Sequence, residues 1–289
     1  MQENNSLSRG ASIAVIVVIY LMALLVGVCT FGKCASCGMS DLWGIFVADA
    51  AATVLVWWFG IIFRNVSVYD PYWSVAPPVV LTIWLFTRGT LNTASLLLLI
   101  AVWYWGIRLT ANWAITFKGM AYEDWRYTKY REEKEPFVFH LINFFGLNFV
   151  PTVVVFLAMV PGLGLISGQY QATPLTWLAF ALCLACPTIQ LIADTQSHRF
   201  RREHPGQVCT VGFWKHGRHP NYLGEVMMWW GVWFMYVSVA GISANVWYVA
   251  GAVANTLLFL FISIPMMEKR QLALKPEYAE YRSRTRLFI

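Results

Sequence analysis

Long stretches without a charged side chain divide this sequence. Positions 10–32, 141–193 and 226–267 contain no Asp, Glu, Lys or Arg. A membrane-spanning helix needs about 20 apolar residues, so the second and third stretches are each long enough for two helices. Their apolar residues are continuous rather than alternating, which favours helices over the strands of a membrane barrel.

Turn residues divide the two longest stretches. Pro and Gly residues between 161 and 174 interrupt one, and Gly, Ser and Asn within 241–245 interrupt the other. The pattern predicts an all-α polytopic membrane helical bundle of eight spans, or seven if the short segment containing Pro77 and Pro78 is a broken or re-entrant element. The predicted spans are 11–32, 42–63, 75–88, 91–116, 140–167, 173–199, 221–240 and 246–267.

Composition supports a membrane protein. Of 289 residues, 58% are hydrophobic and 12% are charged, whereas soluble domains carry about 25% charged residues. This excludes an ordinary soluble enzyme, a disordered chain and a small disulfide-rich scaffold. The first apolar segment is too long for a signal peptide and lacks a small-residue cleavage site. We therefore expect an additional N-terminal helix and loop in 1–40, and a main transmembrane domain in 41–289.

The basic residues predict an orientation. They concentrate in 118–134, 199–218 and 269–286, which eight spans would place on one side together with Arg9 and Arg64. The positive-inside rule then predicts cytoplasmic termini, and we expect a bacterial inner membrane. The net charge of +6 is explained by this topology and by contact with anionic lipid headgroups, so no nucleic-acid partner is expected.

Three cysteines surround the first predicted non-cytoplasmic loop. Cys34 and Cys37 have the spacing of a metal or redox pair, but no second pair and no His lies nearby. We predict no metal site. A disulfide involving Cys29, Cys34 or Cys37 and unpaired thiols remain equal alternatives.

Ionisable groups within or at the edges of the spans indicate where chemistry is concentrated. Such groups are unfavourable in a bilayer and usually face an interior cavity. An interhelical ion pair is the simpler explanation for Asp49. The full set is Asp49, Asp70, Arg108, Asp194, Glu225 and Glu268.

The sixth span continues into a basic segment. Asp194, His198 and Arg201 are spaced four and three apart, so they share one helix face. An acid beside basic residues can bind a nucleotide, because arginines bind phosphates and a carboxylate accepts donors from ribose or base. A plain juxtamembrane basic helix is the alternative.

A polar loop leads directly into the seventh span. Pro220 is well placed at a helix start, where free amide groups suit anions. Asn221 and Glu225 follow, four residues apart and facing the same way. An amide and a carboxylate buried there could pair with a carboxamide such as that of nicotinamide.

The segment Arg218-His-Pro-Asn-Tyr-Leu-Gly-Glu225, preceded by Asp194 and Arg201 and followed by a Tyr-rich basic tail, resembles the membrane steroid 5α-reductase superfamily. The resemblance covers roughly 60–289 and is strongest from position 190. It implies a seven-helix bundle that holds NADPH at its cytoplasmic side. It also implies reduction of a carbon–carbon double bond conjugated to a ketone.

The resemblance, taken with the spacing above, assigns a cofactor site centred on 190–289. One departure is Gln190, where the family has Asn; another is Trp105, where a strict Tyr-x-x-Arg alignment expects Tyr. The predicted cofactor-binding residues are Arg108, Asp194, His198, Arg201, Arg218, His219, Asn221, Tyr222, Glu225, Tyr278 and Tyr281.

Reduction of such a bond also requires polarisation of the carbonyl oxygen. A Tyr hydroxyl beside a carboxylic acid in a dry pocket would supply it. We predict Tyr104 and Asp70 as this catalytic pair. The alternative is that Tyr104 is one more ring in an aromatic-rich helix.

Two other function classes remain open. Membrane methyltransferases of the isoprenylcysteine or phospholipid type carry a similar Arg-His-Pro-x-Tyr-x-Gly signature and bind S-adenosylmethionine, although Asn221 and the Asp194–Arg201 spacing favour the reductase. A transporter or scaffold is disfavoured because the sequence has no internal repeat. We expect a monomer acting on a lipophilic small molecule, with sterols, polyprenyl and fatty enones equally suited.

Overall fold

The computed structural model describes residues 7–289, and this part of the chain contains helices and no strand. Residues 1–6 of the predicted N-terminal segment lie outside the described residues. The α-helices are α1 Arg9–Ser36, α2 Asp41–Ile62, α3 Tyr72–Arg88, α4 Thr93–Thr116, α5 Trp125–Glu133, α6 Pro136–Leu141, α7 Val150–Ser167, α8 Pro174–Glu203, α9 Pro220–Ala240, α10 Ala250–Leu258, α11 Ile264–Leu274 and α12 Tyr278–Arg284.

Two of the long helical segments contain π-helical turns. The segment Ile142–Phe149 joins α6 to α7, and Phe259–Ser263 joins α10 to α11. Each junction continues the helix without a break, so α6 and α7 act as one segment, as do α10 and α11. Short 3₁₀ helices occupy Val66–Val68, Gly212–Lys215 and Val246–Val249.

Seven helical segments in the described residues are long and apolar enough to cross a membrane. They are Arg9–Ser36, Asp41–Ile62, Thr93–Thr116, Pro136–Ser167, Pro174–Glu203, Pro220–Ala240 and Val246–Leu274. The predicted span 75–88 corresponds to α3, a helix of 17 residues with Pro77 and Pro78 inside it, which lies outside this set. The prediction of an all-α polytopic membrane bundle is confirmed, with the smaller of the two expected counts.

The chain divides into two compact units. The first combines the chain up to Ala76 with Leu109–Phe156, and the second combines Pro77–Arg108 with Leu157–Ile289. The sequence analysis divided the chain differently, after residue 40, and that domain boundary stays a prediction.

The first unit is built on the packing of α1 against α2. Ile19 of α1 and Val56 of α2 are buried in a core that includes Tyr69 and Tyr72. Asp49 Oδ1 accepts a hydrogen bond from Tyr72 Oη at 2.8 Å. The contact at Asp49, where the sequence favoured an ion pair, is therefore a hydrogen bond from a neutral donor.

The predicted loop cysteines of the first unit are free thiols in the structure. Cys34 is buried, whereas Cys29 and Cys37 are exposed. The alternative of unpaired thiols is the one that the structure contains.

Close packing of α8 against α9 organises the second unit. A Cβ atom added to Gly224 would lie 2.6 Å from the carbonyl oxygen of Cys186, and one added to Gly231 would lie 2.5 Å from Cys183 Sγ. Because neither glycine has a side chain, the two helix backbones can approach closely. Their polar residues are thereby brought face to face.

Candidate functional site

Residues of the second unit on three helices place polar side chains in two adjoining layers. The first, here called the ion-pair layer, contains Arg108 of α4, Asp194 of α8 and Asn221 of α9. The second, here called the carboxylate layer, contains Trp105, Gln190 and Glu225 from the same three helices. Spacings of three residues on α4 and four on α8 and α9 separate the layers by about one helical turn.

In the ion-pair layer, both oxygens of Asp194 are engaged. Arg108 Nη2 donates to Asp194 Oδ2, and Asn221 Nδ2 donates to Asp194 Oδ1 at 3.1 Å. Asn221 Oδ1 in turn accepts the backbone N–H of Tyr222 at 3.0 Å. Arg108 is only 6% exposed, so Asp194 holds a buried guanidinium in place.

In the carboxylate layer, three N–H groups surround Glu225, which is 3% exposed. Trp105 Nε1 and Gln190 Nε2 each donate to Oε2 at 2.9 Å, and Trp229 Nε1 donates to Oε1 at 3.2 Å. Hydrogen bonds to a charged acceptor are stronger than neutral ones. They offset part of the unfavourable burial of this carboxylate among apolar helices.

Both layers retain buried polar atoms that have no hydrogen-bond partner within residues 7–289. These atoms are Arg108 Nε, Arg108 Nη1 and Gln190 Oε1. Buried polar groups are nearly always paired in folded proteins. The site therefore offers two donors and one acceptor to a polar ligand.

The predicted face of Asp194, His198 and Arg201 lies on a single helix, α8. Asp194 is close enough to both basic residues for their charges to interact. His198 is partly buried and Arg201 is exposed, with Arg201 Nε donating to the carbonyl of Ser197 at 3.2 Å. The polar face thus continues from the buried layers to the exposed basic end of α8.

The loop between α8 and α9 is attached to α8 next to this face. Gln196 Oε1 accepts the backbone N–H of Phe213 at 2.9 Å, and Trp214 Nε1 donates to the carbonyl of Ala193 at 2.8 Å. These contacts fix the 3₁₀ helix that precedes the Arg218–Glu225 segment.

Arg218 and His219 meet a carboxylate from α11. Glu268 Oε1 lies 2.8 Å from Arg218 Nε and 3.2 Å from His219 Nε2, and Glu268 Oε2 lies 3.0 Å from Arg282 Nε. Burial lowers the pKa of His219, although Glu268 acts to raise it. The His219 ring stacks on Tyr222 with centroids 5.2 Å apart.

The tail tyrosines are buried against the same loop. Tyr281 Oη donates to the carbonyl of Gly217 at 3.2 Å, and Tyr278 packs with Tyr281 and Val208. Burial raises the pKa of Tyr278 to about 12. Backbone pairing of Gly217 with Arg286 completes the attachment.

Four of the predicted cofactor-binding residues, Arg218, His219, Tyr278 and Tyr281, therefore join the C-terminal segment to the start of α9. Their direct contact with a cofactor stays a prediction. The structure assigns to each of them a contact inside the protein.

The two predicted catalytic residues have different partners. Tyr104 Oη, in the second unit, shares a hydrogen bond of 2.9 Å with Thr188 Oγ1. Asp70, in the first unit, accepts a hydrogen bond from Tyr127 Oη, and burial raises the pKa of Asp70 to about 6. The pairing of Tyr104 with Asp70 stays a prediction.

Sequence reasoning did not assign a role to several residues of the site. Trp105 and Gln190 were treated as departures from a family pattern, yet both hold Glu225. Glu268 was noted only as an ionisable group, although a carboxylate that ends the uncharged stretch 226–267 signals a buried partner. Trp229, four residues after Glu225, carried no signal that distinguished it from the other tryptophans.

Comparisons with known proteins complete this description. An uncharacterised protein of Schizosaccharomyces pombe is 23% identical over 215 residues, which cover 64% of this chain and 61% of that protein. The chain thus spans less than two thirds of this relative's length. No solved structure matches the chain.

A family described as "Protein of unknown function (DUF1295)" matches residues 56–285, which include every residue of the two polar layers. The chain therefore belongs to the DUF1295 family, which is part of the steroid 5α-reductase-like group, and it is a multi-pass membrane protein.

Proposed function

We propose that this protein is an NADPH-dependent membrane reductase that reduces a carbon–carbon double bond conjugated to a carbonyl in a lipophilic substrate. Membership of a steroid 5α-reductase-like family supports the proposal. The observation that carries it is the set of unpaired polar atoms on Arg108 and Gln190, buried among apolar helices next to the basic end of α8.

The residues present fit a dinucleotide. The exposed guanidinium of Arg201 suits a phosphate, which arginine binds through several directed N–H groups. The buried donors of Arg108 and the acceptor of Gln190 suit a polar ring substituent. Asn221 and Glu225 are already hydrogen-bonded within the protein, so their role is to position these neighbours.

NADPH would supply the hydride, and the protein would polarise the substrate carbonyl. Thr188 Oγ1 donates to the carbonyl of Leu184 at 2.8 Å, which leaves it to accept the hydroxyl hydrogen of Tyr104. In the proposal, Thr188 holds Tyr104 Oη in place, and the hydroxyl hydrogen turns from Thr188 to the substrate carbonyl oxygen as enolate charge develops. In the proposal, Tyr104 has this role, and Asp70 as its acid partner stays a prediction.

A lipophilic substrate suits a protein whose seven long segments are strongly apolar. The protein is proposed to act as a monomer in a bacterial inner membrane, with its cofactor bound at the cytoplasmic side. S-adenosylmethionine-dependent methyl transfer and a non-enzymatic role are the alternatives that the following experiment distinguishes.

The decisive experiment measures ligand-dependent thermal stability of the purified protein in detergent. A ligand that binds only the native state raises the unfolding temperature. We expect NADPH to raise it and S-adenosylmethionine to leave it unchanged. Arg201→Ala should weaken NADPH binding about ten- to a hundredfold, the loss of one charge-assisted contact of about 1.5–3 kcal/mol.

Arg202→Ala is the matched control, because Arg202 is the exposed neighbour of Arg201 on the same helix. It should retain NADPH affinity within about twofold, since an exposed charge outside the contact contributes little. Stabilisation by S-adenosylmethionine alone would replace the proposal with the methyltransferase, and no response to either ligand would favour a non-enzymatic protein.

A further inference from the structure

Arg108 and Gln190 carry the unpaired polar atoms of the two layers, and these atoms have opposite hydrogen-bonding character. Arg108 offers N–H donors from Nε and Nη1, whereas Gln190 offers a carbonyl acceptor, Oε1. The two side chains are 6% and 3% exposed. Water in bulk solution is therefore not available to satisfy them, and a bound group with both a donor and an acceptor would do so.

A carboxylate holds each of these two side chains in place through one of its other polar atoms. Gln190 Nε2 is held by Glu225 Oε2 at 2.9 Å, so the amide presents its oxygen away from that carboxylate. Arg108 Nη2 donates to Asp194, so Nε and Nη1 are the guanidinium nitrogens that remain for a ligand. Asp194 and Glu225 thus act as positioning residues for the two groups that lack partners.

The helical spacing brings the two groups into neighbouring positions. Gln190 lies one turn before Asp194 on α8, and Asp194 is the residue that binds Arg108. Trp105, which shares Glu225 with Gln190, lies three residues before Arg108 on α4. The donors of Arg108 and the acceptor of Gln190 therefore lie on adjoining turns of two helices that share Asp194 and Glu225 as partners.

A primary carboxamide matches this arrangement. Its carbonyl oxygen accepts from Arg108, and its NH₂ group donates to Gln190 Oε1. A carboxylate would present only acceptors to Gln190 Oε1, and a methyl ketone would leave that oxygen unpaired. Asn221 and Glu225, which the sequence analysis predicted to hold a carboxamide, have their polar atoms committed to Asp194, Tyr222, Trp105, Gln190 and Trp229.

We infer that Arg108 and Gln190 together recognise the carboxamide of the nicotinamide ring, Arg108 through the carbonyl oxygen and Gln190 through the amide N–H. This inference rests on the proposed function. Gln190 is accordingly the residue that distinguishes a carboxamide from its isosteres.

The test compares cofactor analogues by calorimetric titration in detergent, without turnover. The probes are NADP⁺ and its 3-acetylpyridine analogue, in which a methyl group replaces the NH₂ group. Wild-type protein should bind NADP⁺ about tenfold more tightly, because the analogue leaves a buried acceptor unpaired. Gln190→Met should reduce this ratio to about one, mainly by weakening NADP⁺ binding.

Two further variants make the pattern specific. Gln196→Met removes another glutamine of α8, one whose oxygen binds Phe213 N–H, and should leave the tenfold ratio unchanged. Arg108→Lys keeps a positive charge for Asp194 but removes the planar donors. It should weaken both ligands about equally, because both retain the carbonyl oxygen.

The outcomes separate the inference from the proposed function. Failure of the wild-type protein to bind either probe would overturn both. Binding with a wild-type ratio near one, or a ratio that survives Gln190→Met, would overturn the carboxamide assignment alone. A wild-type ratio near one would overturn the carboxamide assignment even if Gln190→Met does not fold.

Discussion

Arg218 and Glu268 form an ion pair, with Arg218 Nε 2.8 Å from Glu268 Oε1, although fifty positions separate them in the sequence. Glu268 belongs to α11, and Arg218 lies two residues before α9. Arg282 of α12 binds the other carboxylate oxygen at 3.0 Å. One buried carboxylate therefore fixes the C-terminal segment to the entry of the helix that carries Asn221.

Glu268→Gln tests this attachment. The variant keeps the size of the side chain but removes the negative charge that offsets Arg218 and Arg282. Loss of one partner from a buried ion pair destabilises proteins by about 3 kcal/mol or more. We expect a lower unfolding temperature in detergent and faster tryptic cleavage of the C-terminal segment.

Glu280→Gln is the control for this variant. Glu280 pairs with Arg284 at 2.9 Å on the exposed surface of α12, where such pairs contribute about 0.5 kcal/mol. Equal destabilisation by the two variants would contradict a special role for Glu268.

The membrane helices could be predicted from the sequence because each needs about 20 apolar residues in a row, a local property. The predicted span 221–240 differs by one residue from α9, Pro220–Ala240, since Pro220 favours a helix start. Helix α5, Trp125–Glu133, was not predicted. Its polar sequence lacks the apolar signal on which the prediction depended.

The contacts of the site could be predicted only in part. Spacing placed Asn221 and Glu225 on one face of a helix, but it does not determine which helix packs against that face. The hydrogen bond between Trp105 and Glu225 joins residues 120 positions apart. Only the three-dimensional packing of α4, α8 and α9 reveals it.

Tyr127 illustrates the same limit in the first unit. Asp70 accepts a hydrogen bond from Tyr127, a residue to which the sequence analysis assigned no role. Tyr127 lies on α5, outside every predicted span, so nothing local marked it as a partner.

Gly224→Ala tests the close approach of α8 and α9. The new Cβ would lie 2.5 Å from Gln190 Cγ and 2.6 Å from the Cys186 carbonyl oxygen. A backbone atom cannot rotate away, so the helices must separate. Overpacking of this kind typically destabilises by about 1–3 kcal/mol, which a lower unfolding temperature in detergent would report.

Gly32→Ala provides the opposite expectation. Gly32 lies in α1, and a Cβ added there meets nothing within 4 Å. Alanine favours a helix over glycine by about 0.5–1 kcal/mol. Gly32→Ala should therefore raise the unfolding temperature slightly. If Gly32→Ala destabilises the protein as much as Gly224→Ala, close packing of α8 against α9 is not the cause.

Asp70 should make stability depend on pH. Burial is the main cause that raises its pKa to about 6, against the opposing effect of Arg126. Between pH 4 and 6 the folded state then holds a proton that the unfolded state has lost. The free energy of unfolding should fall as pH rises through this window and change little above it.

Asp70→Asn removes this titration, and asparagine can still accept the Tyr127 hydroxyl through its side-chain oxygen. Above pH 6 the variant should exceed the wild type in unfolding free energy by up to about 2–3 kcal/mol, the equivalent of a pKa shift of about two units. Unfolding in detergent from pH 4 to 7 measures the difference. Glu280→Gln, which removes an exposed carboxylate of α12, should follow the wild-type pH profile because an exposed charge contributes little to stability. If Asp70→Asn also keeps that profile, Asp70 is not the group that titrates.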